Sequence, residues 1–321
     1  MRRRAWRGWR VLGTGCATAV LAVAAVTAFA SEASAAPVKC YVGGDPIGAA
    51  YDPVNRLMYV TQTGNTSVSL LKSRCSVYAT ISLGTGSVPY AVAYDPANHW
   101  IYITDSNLNV VYYINGLHFG GTISSSNFSL PEGIAYDPVL GSMVVANNGG
   151  SSATFINGTT VQGSVRLGSC PYGVAYSPNL NWVVVTSDCS DWVYVLSGAN
   201  GNWITSFLAG KDPTSAAYDP VNQDIYISNS GSNNVSVVNP SNGSVTSFSV
   251  GKKPWAVAWD QAKQEIYVAN YDANTISEIS GTSVVKTVKV PASTWPIGLS
   301  YDTATNKMFV VGWDGYVYVE S

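Results

Sequence analysis

Charge and histidine are scarce in this sequence. Charged residues make up only 11% of its 321 positions, and the two histidines are His99 and His118. So little charge, with no basic stripe, does not suit a grip on nucleic acid phosphates. No zinc-binding histidine pair, nucleophile elbow, haem-attachment Cys-x-x-Cys-His or phosphate-cradling glycine loop occurs. Long apolar runs are missing beyond residue 30, so no membrane span is expected in the mature chain. What is abundant is Gly, Ser, Asn, Thr, Val and Tyr. That is the composition of strands joined by tight turns, not of helices.

Five of the 17 Lys and Arg residues sit at the front. Arg2, Arg3, Arg4, Arg7 and Arg10 precede an apolar run from Val11 to Ala30 and a small-x-small site at Ala33-Ser34-Ala35. Residues 1–35 therefore read as a signal peptide, with an uncleaved anchor as the alternative. The mature chain is expected to be secreted, extracellular or at the cell surface. It keeps four cysteines, Cys40, Cys75, Cys170 and Cys189, an even number that suggests two disulfides in an exported protein. Four cysteines allow three connectivities. The sequons at Asn65, Asn127, Asn157, Asn234 and Asn242 would be occupied or not according to the host.

Proline sets the period. Pro46, Pro89, Pro131, Pro171, Pro213, Pro254 and Pro296 recur at spacings of 43, 42, 40, 42, 41 and 42 residues. A period of this length marks a solenoid, propeller or array. Each unit carries four strand signals. Strand a follows the proline, as in Tyr90-Ala91-Val92-Ala93-Tyr94, with small residues on one face and large ones on the other. An Asp-Pro turn follows, as at Asp52-Pro53 and Asp219-Pro220; these aspartates read as turn formers, not as a metal site. Strand b is short and apolar, strand c follows a polar loop, and strand d lies outermost. Four antiparallel strands in this length make one propeller blade. The seventh unit ends before its strand d. Val38 to Val42 can supply it and close the ring, which removes exposed sheet edges. The expectation is a single all-β domain over 36–321, a seven-bladed propeller.

Tyr267-Val268-Ala269-Asn270 and Tyr59-Val60-Thr61-Gln62, with the Ala-Tyr-Asp-Pro element before the turn, resemble the YVTN and NHL-type propeller repeats of secreted and cell-surface proteins. The resemblance covers residues 36–321. It implies a fold and little about activity, because function resides in sites grafted on folds.

In this strand order the d–a and b–c loops share one mouth of the channel. The residues after the prolines are Ile47, Tyr90, Glu132, Tyr172, Thr214, Trp255 and Ile297. The b–c loops add Asp105, Asn107, Asn147, Asn148, Asp188, Asp191, Asn229, Asn270, Tyr271, Asp272, Trp313 and Asp314. The candidate ligand-binding residues are Tyr90, Glu132, Tyr172, Trp255, Asn147, Asn229, Asn270 and Trp313. Aromatic faces with amides suit a glycan, peptide or other neutral polar ligand, or else plug the channel. The main functional expectation is a non-enzymatic binding scaffold for a protein or glycan partner, without cofactor. The alternative is a metal-dependent lyase or lactonase-like enzyme at the channel mouth. Streptogramin lyases resemble this chain in layout, and that resemblance implies histidine, acidic residues and a metal in the mouth. Here His99 falls in an a–b turn and His118 near a c–d connection, both on the far face, and Glu132 is the one acid after a proline. Calcium held by Asp and Asn oxygens of the b–c loops is the ion considered. Cys170 and Cys189 fall in neighbouring loops of blade four, a geometry that suits one bridge. Cys40 and Cys75 would staple the seam to blade one.

Overall fold

A computed structural model describes residues 38–320. The signal peptide expected over 1–35 lies outside the described residues. The described chain forms seven antiparallel four-stranded sheets, and no helix. Each expected proline opens a strand a: Pro46–Asp52, Pro89–Asp95, Pro131–Asp137, Pro171–Ser177, Pro213–Asp219, Pro254–Asp260 and Pro296–Asp302. Proline suits this place, because a strand's first residue can dispense with its N–H. The seventh blade takes its outermost strand from the front of the domain, as expected. Val38, Lys39, Cys40 and Tyr41 pair with Val319, Tyr318, Val317 and Tyr316.

The Asp-Pro elements are turns. Asp52 Oδ1 accepts the N–H of Val54 and Asn55, and Asp137 Oδ1 that of Val139 and Leu140. The same bonds recur at Asp95, Asp219, Asp260 and Asp302, so one oxygen of each carboxylate is consumed by its own turn.

The core is a set of clusters between neighbouring blades. Strand-b residues such as Met58, Ile101, Met143, Val183, Ile225, Ile266 and Met308 are buried throughout. Buried tyrosines bind blades one, two and five each to the next. Tyr59 donates to the Gly116 carbonyl at 2.9 Å, Tyr102 to Gly158 at 3.0 Å and Tyr226 to Gly281 at 2.9 Å. Each acceptor lies in the following blade's c–d turn.

Two disulfides are formed, Cys170–Cys189 and Cys40–Cys75, with Cα atoms 5.8 and 5.3 Å apart. Disulfides of this kind suit an oxidising environment.

Candidate functional site

Six of the residues after the prolines, Ile47, Tyr90, Tyr172, Thr214, Trp255 and Ile297, line the channel, because strand a is bulged there. The register between strands a and b shifts just after Pro89, Pro131 and Pro254, and after the other four prolines. A bulge re-aims a side chain. A hydroxyl from the preceding blade then fixes the residue. Thr61 Oγ1 donates to the Tyr90 carbonyl at 2.6 Å, and Thr104 Oγ1 to the Glu132 carbonyl at 2.6 Å. Ser228 and Thr214 both donate to the Trp255 carbonyl at 2.8 Å.

This close approach requires a small residue beside it. A Cβ on Gly133 would stand 2.1 Å from the Tyr172 carbonyl oxygen. Gly133→Ala is therefore expected to push blades three and four apart, at a cost of about 1–3 kcal/mol. Thermal melting would read the loss, and near-ultraviolet dichroism the displaced tyrosine.

The residue before the proline is held as well. Asp45, Leu130, Cys170, Asp212, Lys253 and Trp295 all have φ between 46 and 53°. That left-handed conformation is uncommon for side chains of this kind. Its carbonyl accepts the backbone N–H of the first b–c loop residue. Asn148 donates to Leu130 at 2.9 Å, Asp188 to Cys170 at 3.2 Å, Tyr271 to Lys253 at 2.9 Å and Trp313 to Trp295 at 3.2 Å. Asn148, Asp188, Tyr271 and Trp313 are thereby positioned at the mouth.

Tyr90, Tyr172 and Trp255 cross the channel. The Tyr90 and Tyr172 hydroxyls are hydrogen-bonded to each other, with the rings edge to face at 6.0 Å. Tyr172 meets Trp255 edge-on at 6.0 Å. On the mouth side lies a cavity of about 260 Å³ lined by Ile47, Tyr90, Lys253, Trp255, Tyr271, Ile297 and Trp313. On the other side a channel of about 250 Å³ continues between the small residues of the a strands.

Glu132 sits on the acidic side. Its Oε2 is buried without a hydrogen-bond partner. Burial, and then the Asp188 carboxylate, push its carboxyl up to about 8, while Asn148 opposes the shift. Asn148 donates to Asp188 Oδ1 at 3.3 Å. Burial raises the Asp188 carboxyl too, with Asn148 again opposing. Burial and then Glu132 raise the Tyr90 phenol. Glu132 is thus a carboxylic acid that keeps its proton at neutral pH beside a second carboxylate. Such pairs divide the work of acid and base.

Three of the expected site residues do not reach the mouth. Asn147, Asn229 and Asn270 close strand b and are fully buried. Their amides donate to Thr154, Ser236 and Ser277 at 2.8, 2.9 and 3.0 Å. Adjacent strand residues face opposite ways, so the next residue in each loop turns outward instead. Lys253 escaped the sequence reading. Its signal is the position immediately before Pro254, which the repeat places on the mouth. His99 and His118 are exposed on blade two, away from these residues, and Tyr94 hydrogen-bonds His99 Nδ1 at 2.7 Å.

No protein-family model matches this chain, and no curated protein matches it. Solved structures do. Selenomethionine-substituted virginiamycin B lyase from Staphylococcus aureus matches with a TM-score of 0.77 at 14% identity, over 88% of this chain and 98% of that one. A streptogramin B lyase structure matches with a TM-score of 0.77 at 12% identity, over 87% and 94%. A catalytically inactive histidine-to-alanine variant of the Staphylococcus aureus enzyme, with quinupristin, matches with a TM-score of 0.77 at 15% identity, over 88% and 97%. At such identities the likeness is one of fold. It nonetheless overturns the expectation of a non-enzymatic scaffold. That expectation rested on a chain made only of blades, and these neighbours are enzymes that the same blades span almost end to end.

The metal that the lyase resemblance implies has a poor set of donors here. No imidazole reaches the mouth, and Asn148 points its N–H at Asp188. Asp105 accepts loop N–H groups, and Asp314 accepts Tyr316 N–H and the Tyr318 hydroxyl. These groups fall short of the six to eight oxygens that calcium takes. Cys170, Asp188 and Cys189 do converge within 4.8 Å, but both sulfurs are in a disulfide and offer no thiolate.

Proposed function

We propose that the domain is a propeller enzyme of the lyase kind, acting at the channel mouth, with Glu132 as general acid and Asp188 as its partner base. The observation that carries this reading is the buried, unpaired Oε2 of Glu132 beside a second carboxylate, at an aromatic mouth. The lyase neighbours support it by analogy of fold alone. The chemistry runs on protons. Asp188 takes the proton from the carbon next to a substrate carbonyl. The electron pair of that bond forms a carbon–carbon double bond as the β carbon–oxygen bond breaks. Glu132 protonates the departing oxygen, and solvent returns the proton from Asp188 to Glu132. The aromatic wall excludes water from the breaking bond.

We place the enzyme outside the cytoplasm, in keeping with its two disulfides. We assign its blades to the YVTN/NHL type on the Ala-Tyr-Asp-Pro and Tyr-Val-Ala-Asn elements.

The test is a panel of cyclic and linear esters whose alkyl oxygen sits on the carbon β to a carbonyl, with a hydrogen on the α carbon. Mass spectrometry distinguishes elimination, whose products together keep the mass of the substrate, from hydrolysis, which adds water. Elimination by the wild type that vanishes in Glu132→Gln and in Asp188→Asn is expected. Turnover equal in wild type and both variants, or none on any member, overturns the reading.

A further inference from the structure

We infer that the mouth cavity binds an organic carboxylate: a planar apolar body stands against the aromatic wall while its carboxylate pairs with the Lys253 ammonium. The inference rests on the enzymatic reading of the same mouth and names the substrate class it would take.

Six of the seven residues lining the cavity are Ile47, Tyr90, Trp255, Tyr271, Ile297 and Trp313, and the seventh is Lys253. Such a lining removes water from a flat ring and leaves one place for charge. Lys253 Nζ stands 5.0 Å from the centroid of the Tyr271 ring and 5.6 Å from that of Trp255. Trp255 and Tyr271 are themselves 6.0 Å apart. The ammonium therefore rests over two ring faces, an attraction worth about 0.5–2 kcal/mol. The ion pairs among the described residues join Lys263 and Lys286 to Glu278, and Lys253 is in neither.

The backbone of Lys253 is anchored on both sides. Asn233 Oδ1 accepts the Lys253 N–H at 2.8 Å, and the Lys253 carbonyl accepts the Tyr271 N–H at 2.9 Å. The residue is fixed in the left-handed region, with φ of 53°. The lysine and one of the rings it covers are thus tied by a direct bond.

One ammonium matches one negative charge. A phosphate, with nearly twice the charge, calls for more than one cationic group. The lining supplies one amine; its other donors, the Tyr271 phenol and the Trp255 and Trp313 indoles, are neutral, and the Tyr90 hydroxyl is engaged with Tyr172. A carboxylate fits that inventory. Glu132 does not repel it, because at neutral pH that carboxyl carries its proton. The cavity, at about 260 Å³, lies below the usual span of about 300–1,000 Å³ for drug-sized ligands. It holds one small ring system, with the remainder of the molecule in the open mouth.

The test uses 2-naphthoate and its uncharged analogue 2-naphthamide, titrated calorimetrically into the full domain at about pH 7. The wild type is expected to bind the acid at least tenfold more tightly, the ratio of roughly one charge-assisted hydrogen bond. Lys253→Met should erase that ratio while leaving amide binding unchanged, and Lys253→Arg should restore it. Equal binding of acid and amide by the wild type, no binding of either, or a ratio that survives in Lys253→Met each overturns the inference. The wild-type ratio needs no variant to fold. Glu132→Gln separates the two proposals. It should abolish elimination yet hold the acid-to-amide ratio within about twofold, since an uncharged group replaces an uncharged group. Carboxylate preference without turnover sinks the lyase reading alone; turnover without carboxylate preference sinks this inference alone.

Discussion

With Glu132 replaced by Gln, turnover at the mouth is expected to fall roughly 10²–10⁴-fold, while the folded protein gains stability in alkaline solution. Both effects come from one cause. The Glu132 carboxyl titrates at about 8 when folded, against a value of 4.5 for a free side chain. Between those values the folded chain keeps a proton that the unfolded chain has released. The contribution of the carboxyl to stability is complete below about pH 4.5 and is lost as pH rises through about 8. Above that the folded state must hold a charge in a half-buried site next to Asp188, with no donor on Oε2. Glutamine never ionises, so the variant escapes the loss. The difference at about pH 9 is expected near 2 kcal/mol; the open mouth screens the charge and holds it below the full span of the shift. Denaturant melts at about pH 5 and pH 9 check it. The two proteins should be alike at the lower pH and diverge at the higher. The rate should mirror this, with wild-type turnover failing as pH rises through about 8, where the general acid is lost. Stability that falls on substitution at alkaline pH would show Glu132 to be ionised and paired, and the acid role would fail with it.

The period of the prolines announced the ring, because each blade repeats one physical problem. A strand needs a first residue without an N–H, then a small residue where the next blade's carbonyl comes close, then a turn that aspartate can close. Pro131, Gly133 and Asp137 meet those needs in blade three; the proline and a small residue recur in every unit, and the aspartate in all but blade four, where Ser177 stands. The mouth was less legible. Whether Asn147 or Asn148 faces the ligand depends on where strand b ends, and a one-residue error exchanges a buried cap for an exposed amide. Lys253 was legible as the position before Pro254, but what holds it there was not. Its left-handed backbone is imposed by Asn233 in the preceding blade and by Tyr271 in its own. Nothing in the local sequence reports bonds between segments about 20 residues apart. The raised Glu132 carboxyl likewise depends on burial and on Asp188, which only the closed ring brings near.

Deleting residues 38–41 should be the most damaging change that leaves every mouth residue in place. Those residues form the outermost strand of the seventh blade and carry one half of the Cys40–Cys75 bridge. The bridge closes a 35-residue separation, which in the chain-entropy account is worth about 4 kcal/mol. Cys170–Cys189 spans 19 residues and is worth about 3 kcal/mol on the same account. It sits within the loops of one blade, so its loss leaves the ring joined. Reduction, or a Cys40→Ser and Cys75→Ser double substitution, should therefore lower the melting temperature while the strand still pairs with Tyr316–Glu320. Deletion removes the pairing too. It uncovers an unpaired edge whose residues Val317 and Tyr318 belong to the core between blades six, seven and one. An exposed edge of that kind pairs with another chain. The double substitution should elute as the wild type does on sizing, and the deletion as higher assemblies. Equal melting temperature and size for the deletion and the wild type would mean that the ring does not depend on its front strand for closure.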